Sequence, residues 1–343
     1  MKIAFFEVED WEIKHIKDKL KGHKLIFFND KLNDNIKKVK DVDIISTFIY
    51  SKLDKSVIDQ FKKLKYIATM STGFDHIDLV ECKKRKITVS NVPFYGENTV
   101  AEHAFALLLG LSRRIYESHE RTKIGVYDYN GLRGFDLKDK TLGVIGTGHI
   151  GTYTIKIAHG FGMNVIAYDK FKNNKLQKEF NFKYVSLKTL LQKSDIITLH
   201  LPYNKQTHHT LNKNNMKYIK RGAYIINTAR GALIETDALV KAIDKGIVAG
   251  AGLDVLESEP YIKEEKQLLS KHFDKKDMLI VIEDHILMHN EHVLITPHNA
   301  FNSIEALLRI LNTTIDNVKS FIKKKPINLV EVKKWINAIS AEN

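Results

Sequence analysis

The sequence predicts an α/β protein of two domains, each a parallel sheet flanked by helices. Three observations carry this. Short apolar runs alternate with amphipathic stretches through the first hundred residues, and a second such series starts at Lys140. The chain is 343 residues long, more than one compact core usually holds.

In the first series, residues 2–6, 42–47 and 66–70 are short, mostly apolar runs that read as buried strands. Residues 52–63 place Leu53, Val57, Ile58 and Phe61 at helical spacing. Pro93 interrupts the chain, Asn98 and Thr99 offer a cap, and a long helix is expected over residues 100–116. Between Ala104 and Leu111 it is apolar nearly all round, so it is expected to lie between domains or between subunits. On that ground the chain is expected to form a homodimer. The second series predicts strands over 141–145, 164–168, 195–199, 223–227 and 250–254. A helix over 151–161 follows the first of these, and another is capped by Thr236 and ended by Gly246. Residues 260–291 are charged and helical in period, without a clear strand.

Hydrophobic residues make up 43% of the chain and charged residues 28%, the balance of a globular protein rather than a disordered one. No apolar run approaches the ~20 residues of a membrane helix. The N-terminus reaches Glu7 too early to hold the apolar core of a signal peptide. A single cysteine, Cys82, excludes an internal disulfide and fits a reducing compartment, so a cytoplasmic location is expected. The formal charge of +13 raises the question of nucleic acid. The lysines are scattered (Lys37, Lys38, Lys62, Lys63, Lys83, Lys84), mixed with acids, and lack interleaved aromatics that stack on bases. No nucleic-acid or membrane partner is expected; a mild attraction for anionic substrates is.

Gly146-Thr147-Gly148-His149-Ile150-Gly151 follows a predicted strand and opens a predicted helix. This is what a dinucleotide requires. The first glycine makes the turn, the second lets backbone approach a pyrophosphate, and the third lets helix pack on strand. Phosphate then meets the free N–H groups and dipole of the helix N-terminus. Asp169 ends the next strand, where a carboxylate holds ribose hydroxyls and repels the 2′-phosphate of NADP. NAD is therefore the expected cofactor, with Lys170 and Lys172 close enough to soften the preference.

Three further segments sit at predicted strand ends, where α/β proteins bind ligands: Asn227 to Gly231, Asp254 to Pro260, and Thr296 to Phe301. They bring Arg230, Glu259 and His298. A guanidinium, a carboxylate and an imidazole are what reversible reduction of a 2-oxo acid needs. The guanidinium clamps carboxylate and ketone oxygens. The imidazole moves the proton, and the carboxylate orients it and favours its charged form. Glu257 lies in the same loop as Glu259.

With these motifs the chain resembles the D-isomer-specific 2-hydroxyacid dehydrogenases over nearly its whole length. The resemblance also rests on Ser71-Thr72-Gly73-Phe74-Asp75-His76-Ile77-Asp78, Asn91 to Tyr95, Val100-Ala101-Glu102-His103, and His200-Leu201-Pro202. It implies two Rossmann-like or flavodoxin-like domains with an active-site cleft between them, one able to close on the other. Residues 1–99 with 299–343 would form the catalytic domain, and 100–298 the NAD-binding domain. The resemblance further implies that Arg230 binds and polarises the substrate, that His298 is the acid/base, and that Glu259 rather than Glu257 pairs with it. Backbone amides of Ser71, Thr72 and Gly73 would take the substrate carboxylate. The cofactor would contact Gly146, Gly148, His149, Ile150, Gly151, Asp169, Leu201, Pro202, Thr207, Thr228, Ala229 and Asp254, the last through the nicotinamide carboxamide.

Tyr95 resembles the D-lactate and D-2-hydroxyisocaproate branch, and Phe301 and Phe48 would add aromatic walls. The expected substrate is pyruvate, reduced to D-lactate. Longer branched 2-oxo acids come next, and an NAD-sensing corepressor-like protein is the reading of another class. His285 and His289, one helical turn apart, have a spacing found in zinc sites. A solvated helix face explains them equally, and no metal is expected. His208 and His209 are read as surface residues beside the cofactor.

Overall fold

A computed structural model describes residues 1–259 and 275–330 of the chain, with side chains 275–277 left aside. They fall into two compact units. One comprises residues 1–95 and those from Ser303 onward, the other Gly96–Asn302. The remainder of the two expected domains, residues 260–274 and 331–343, lies outside the described residues, as does Pro260.

In the first unit β1 (Lys2–Phe5), β2 (Lys24–Phe27), β3 (Ile44–Thr47), β4 (Tyr66–Thr69) and β5 (Thr88–Ser90) form a parallel sheet in the order β2-β1-β3-β4-β5. Every residue of β3 and β4 is buried, because helices cover both faces. On one face pack α2 (Leu32–Asn35), α3 (Lys55–Ile58) and α4 (Leu79–Lys84), through Leu32, Val57, Ile58, Phe61, Leu79 and Cys82. The helix expected over 52–63 is thus only one turn, α3, with Asp54 capping it through Val57 N. Residues beyond it turn to bring Phe61 into the core. α1 (Asp10–Lys19) belongs to the other face.

In the second unit β6 (Thr141–Ile145), β7 (Asn164–Tyr168), β8 (Lys183–Tyr184), β9 (Ile196–Leu199), β10 (Ala223–Asn227), β11 (Val248–Leu253) and β12 (Val293–Ile295) form a parallel sheet ordered β12-β11-β10-β9-β6-β7-β8. The order reverses between β6 and β9, the switch point at which such sheets bind ligands. One face is covered by α5 (Glu97–Ser112) and α7 (His149–Gly160), around Phe105, Leu108, Val144 and Ile155. The other carries α9 (Leu187–Lys193), α10 (Thr236–Asp244) and α11 (Lys275–Met288), around Leu190, Ile225, Leu239 and Leu287. α8 (Asn174–Glu179) joins β7 to β8.

The long helix differs from expectation in extent and setting. It runs from Glu97 to Ser112, then stops, and α6 (Ile115–Lys123) restarts after Arg114 at φ 49°. The Ser112 carbonyl accepts Phe135 N at 2.9 Å, which draws a loop across the helix end. Ala104, Phe105, Leu107 and Leu108 are buried within this unit, where the helix packs on its own sheet and on α7, while Ala106 stays exposed.

α12 (Ile304–Ile322), capped by Ser303 Oγ accepting Ala306 N, returns the chain to the first unit. It packs on β4 and α1, and its Phe321 stacks on Tyr66 with ring centroids 4.2 Å apart. No helix among the described residues is long and apolar enough to cross a membrane.

Candidate active site

The glycine loop leaves β6 at the switch point. Gly146 has φ 96°, and a Cβ there would lie 2.7 Å from the His200 carbonyl oxygen. A Cβ on Gly151 would lie 2.0 Å from the Gly146 oxygen, so α7 reaches its strand only because that position has none. Gly148, which caps α7, has open space where its Cβ would be. Thr228 Oγ1, just past the end of β10, is buried without a hydrogen-bond partner among the described residues. An open helix N-terminus and an orphaned hydroxyl on the same sheet edge fit a dinucleotide.

Asp169, at the end of β7, turns its carboxylate toward this loop. Its Oδ2 accepts Thr147 N at 2.6 Å and Thr147 Oγ1 at 3.1 Å, and Oδ1 accepts Phe171 N at 2.8 Å. Lys170 is engaged by Gln206 Oε1 at 3.1 Å. Beyond β9, His200 is half-buried, and burial of its ring pushes the imidazole down to about 3, leaving it neutral. Its Nε2 meets Thr154 on α7 and Thr198 on β9 at 3.1 and 2.9 Å, tying helix to strand. Leu201 and Pro202 follow it, and Thr207 Oγ1 closes their loop by donating to the Pro202 oxygen at 2.7 Å. His149, exposed, and Ile150, half-buried, stand in the first turn of α7.

Adjacent strands β10, β11 and β12 carry the three remaining segments on one edge. After β10, buried Asn227 accepts Ala229 N at 3.0 Å and donates to the Arg230 oxygen at 2.9 Å, which shapes the turn bearing Arg230. The Arg230 guanidinium donates to the Ala229 oxygen at 2.7 Å. A Cβ on Gly231 would lie 2.1 Å from the Leu256 carbonyl, so the Glu259 loop passes directly over it.

After β12, His298 adopts φ 53°, a left-handed conformation that β-carbons disfavour. Asp254, after β11, holds it there. Oδ1 accepts Thr296 Oγ1 at 2.5 Å and Asn299 N at 2.9 Å, and Oδ2 accepts Ala300 N at 2.9 Å. Burial opposes its charge, but hydrogen bonds from His103, Thr296, Ala300 and Asn299 outweigh that and hold the carboxyl below its ordinary range. His103 on α5 also reaches Thr296 Oγ1 at 3.0 Å.

His298 Nδ1 meets Glu259 Oε1 at 2.7 Å. Glu257 is engaged elsewhere: His209 Nε2 lies 2.6 Å from its Oε1, and Thr236 N and Oγ1 donate to its Oε2. His209 is therefore a partly buried loop tie, unlike the surface residue expected, while His208 is exposed. Asp284 on α11, fully buried, accepts Ser258 N at 2.9 Å and also Ser258 Oγ, which anchors the residue before Glu259.

Two of these positions escape sequence reading differently. Asp284 lies three residues from buried Val281 and Leu287, so the core stripe of α11 itself marks a buried carboxyl. His103 sits in a motif read for its pattern alone, and no local signal points to Thr296. His289 Nδ1 is taken by the His285 carbonyl at 2.8 Å, and no group of three metal-ligating side chains gathers among the described residues.

In the first unit, the Ser71 hydroxyl donates to the Gly73 oxygen at 2.6 Å and that of Thr72 to the Val92 oxygen at 2.8 Å, which fixes the loop after β4. Tyr95 is half-buried, its carbonyl held by Arg309 of α12. Phe301, in the second unit, is also half-buried.

The model for the D-isomer specific 2-hydroxyacid dehydrogenase NAD-binding domain matches residues 105–300. The D-lactate dehydrogenase of Escherichia coli is 33% identical over 94% of this chain and 97% of its own. The glyoxylate reductase of Thermococcus litoralis is 42% identical over 67% of this chain and 72% of its own. A solved D-lactate dehydrogenase from Aquifex aeolicus, complexed with NAD and lactic acid, superposes with TM-score 0.84 and 37% identity, covering 94% and 96% of the two chains. This chain belongs to the D-isomer-specific 2-hydroxyacid dehydrogenases, and its second unit holds the NAD-binding domain.

Proposed function

We propose that this protein is a D-lactate dehydrogenase that reduces pyruvate with NADH. The 2.7 Å contact between His298 Nδ1 and Glu259 Oε1 carries the reaction class, because it turns an imidazole into an oriented proton donor. With Nδ1 engaged, Nε2 is the nitrogen that gives the proton to the ketone oxygen. Arg230 pairs with the substrate carboxylate and polarises the ketone. The developing charge on oxygen is met by Arg230 and His298 together. Asp254 acts on this chemistry through the loop that carries His298. NADH on the glycine loop supplies the hydride taken up by the carbonyl carbon. The remaining cofactor contacts, including those of Ala229, Leu201 and Pro202, belong to the same proposal.

Pyruvate is favoured by Tyr95, Phe48 and Phe301, aromatic groups that suit a small apolar tail. The correspondence with D-lactate dehydrogenases over almost the full chain supports it. Glyoxylate is the second reading, since glyoxylate reductases are similarly related. The reading also takes the enzyme as a cytoplasmic homodimer.

NADH oxidation with pyruvate, glyoxylate, 2-oxoisocaproate and 3-phosphohydroxypyruvate, run side by side, tests it. The highest kcat/KM is expected with pyruvate; a higher one with glyoxylate overturns the substrate. No turnover with any of them favours an NAD-sensing binding role. His298→Gln should cut kcat by about 10²–10⁴ while NADH binding stays near normal.

A further inference from the structure

His298 stands in a left-handed turn, and the contacts that hold this turn come from the second unit itself. The His298 N–H donates to the Thr296 oxygen at 2.9 Å across Pro297, and Thr296 N donates to the Leu253 oxygen at 2.9 Å, which moors the turn to the end of β11. Just past it, Asn299 N and Ala300 N each point at the Asp254 carboxylate, at 2.9 Å. A further donor to Asp254 is the Thr296 hydroxyl, 2.5 Å from Oδ1.

A threonine hydroxyl has one proton and two lone pairs. Asp254 is buried, yet its hydrogen bonds outweigh burial and keep it ionised, so it accepts and does not donate. The Thr296 proton therefore goes to Asp254, and the hydroxyl oxygen accepts from its other neighbour, His103 Nε2 at 3.0 Å. The same nitrogen lies 3.4 Å from Asp254 Oδ1. His103 thus carries a proton on Nε2 whatever the charge of its ring. Close packing of α5 brings the ring there. A Cβ on Gly252 of β11 would lie 2.9 Å from that of Leu107, one turn beyond His103, and a Cβ on Gly110 would lie 2.9 Å from Leu294 Cδ2 of β12. The helix sits this near to both strands because neither position has a side chain.

We infer that His103 is a positioning residue for the acid/base: by donating to Thr296 it aims that hydroxyl at Asp254, and so holds the turn that carries His298. This rests on the proton-transfer role given to His298 above. Without the donor the Thr296 hydroxyl is free to rotate, and a buried carboxylate loses part of its hydrogen bonding. A backbone conformation that β-carbons disfavour then loses its support. His103 acts on the chemistry through Thr296 and Asp254.

The experiment measures kcat and KM for the preferred 2-oxo acid in the wild type, His103→Leu, His103→Gln, Thr296→Val and the double variant His103→Leu/Thr296→Val, with NADH binding and melting temperature as checks on folding. His103→Leu and Thr296→Val should each lower kcat by about 10–100-fold, the scale of a small misplacement of a reacting group. KM should change by less than about threefold, because the substrate clamp on Arg230 is untouched. The double variant should fall less than about threefold below the slower single one, since both substitutions break one chain of hydrogen bonds. In His103→Gln the amide N–H takes over the donation, and kcat should stay within about threefold of the wild type. With ¹⁵N-labelled histidine, His103 should show a protonated Nε2, and the His298 ring signals should move in His103→Leu. A wild-type kcat in His103→Leu overturns the proposal, as does a Gln variant as slow as the Leu one, an additive double variant, a bare Nε2 on His103, or unmoved His298 signals. If His103→Leu does not fold, Thr296→Val carries the same test, and a wild-type kcat or unmoved His298 signals there overturn it. A wild type that reduces no 2-oxo acid removes the activity instead, and the histidine spectra then decide the positioning by themselves.

Discussion

Glu257 and Glu259 carry the same chemistry two residues apart, and the fold gives them different partners. Glu259 meets His298, while Glu257 ties His209 to the start of α10. The pattern of residue types pointed to a carboxylate in this loop; the loop path that selects one of them comes from Gly231 beneath and Asp284 behind. Asp284 also makes a pH prediction. Burial, the largest influence, raises its carboxyl from 3.8 to about 6, and Ser258 counters only part of that. The folded value lies above the unfolded one, so the group carries no penalty below about pH 4. The penalty grows as pH climbs, and is complete above about pH 6. Asp284→Asn should therefore gain on the wild type by roughly 2–3 kcal/mol between about pH 4 and pH 8 in urea melts. A pH-independent difference would show that the carboxyl titrates alike in the folded and unfolded states, so that burial does not raise it. Asp169 is legible from its spacing, yet its bonds to Thr147 are not. Asp169→Ala should lower the NADH:NADPH ratio of kcat/KM by about 10–100-fold, and an unchanged ratio would remove it from cofactor choice.

Elements bounded by long apolar runs were readable, because a strand buried on both faces leaves no alternative to a continuous hydrophobic stretch. β5, β8 and β12 are short, lie at sheet edges and carry no such run; β2, also at an edge, does carry one in Leu25 to Phe28, although the expected strands do not include it. The break after Ser112 depends on Phe135, more than twenty residues away, which no local pattern reveals. It changes the argument for a dimer. α5 is satisfied within its own unit, and the exposed apolar side chains are those just beyond it: Ile115, Tyr116, Ile124, Tyr127 and Tyr129. Five such side chains within residues 115–129 are more than scattered surface apolar residues account for. Under the homodimer reading, Tyr127→Ser with Tyr129→Ser should shift sedimentation equilibrium toward monomer by at least about tenfold in Kd. A dimer of unchanged affinity would place the interface elsewhere.

At the scale of the whole molecule, the second unit is one continuous stretch, while the first is assembled from two distant ones. A fragment comprising residues 96–302 should fold alone and bind NADH, whereas a fragment ending at Tyr95 lacks α12 and should not fold cooperatively. Circular dichroism and NADH fluorescence on the two fragments check this; a cooperative melt of the short one would contradict it. The stacking of Phe321 on Tyr66 has a consequence for synthesis in the cell. β1 to β5 leave the ribosome first, but the helix that covers their Tyr66 face is translated only after the roughly 200 residues of the second unit, about 10–40 s later. Throughout that interval the nascent sheet shows an uncovered apolar surface to its surroundings. The N-terminal part of this chain is thus the natural client of a holding chaperone, and a nonsense mutation before Ile304 leaves that surface bare for good.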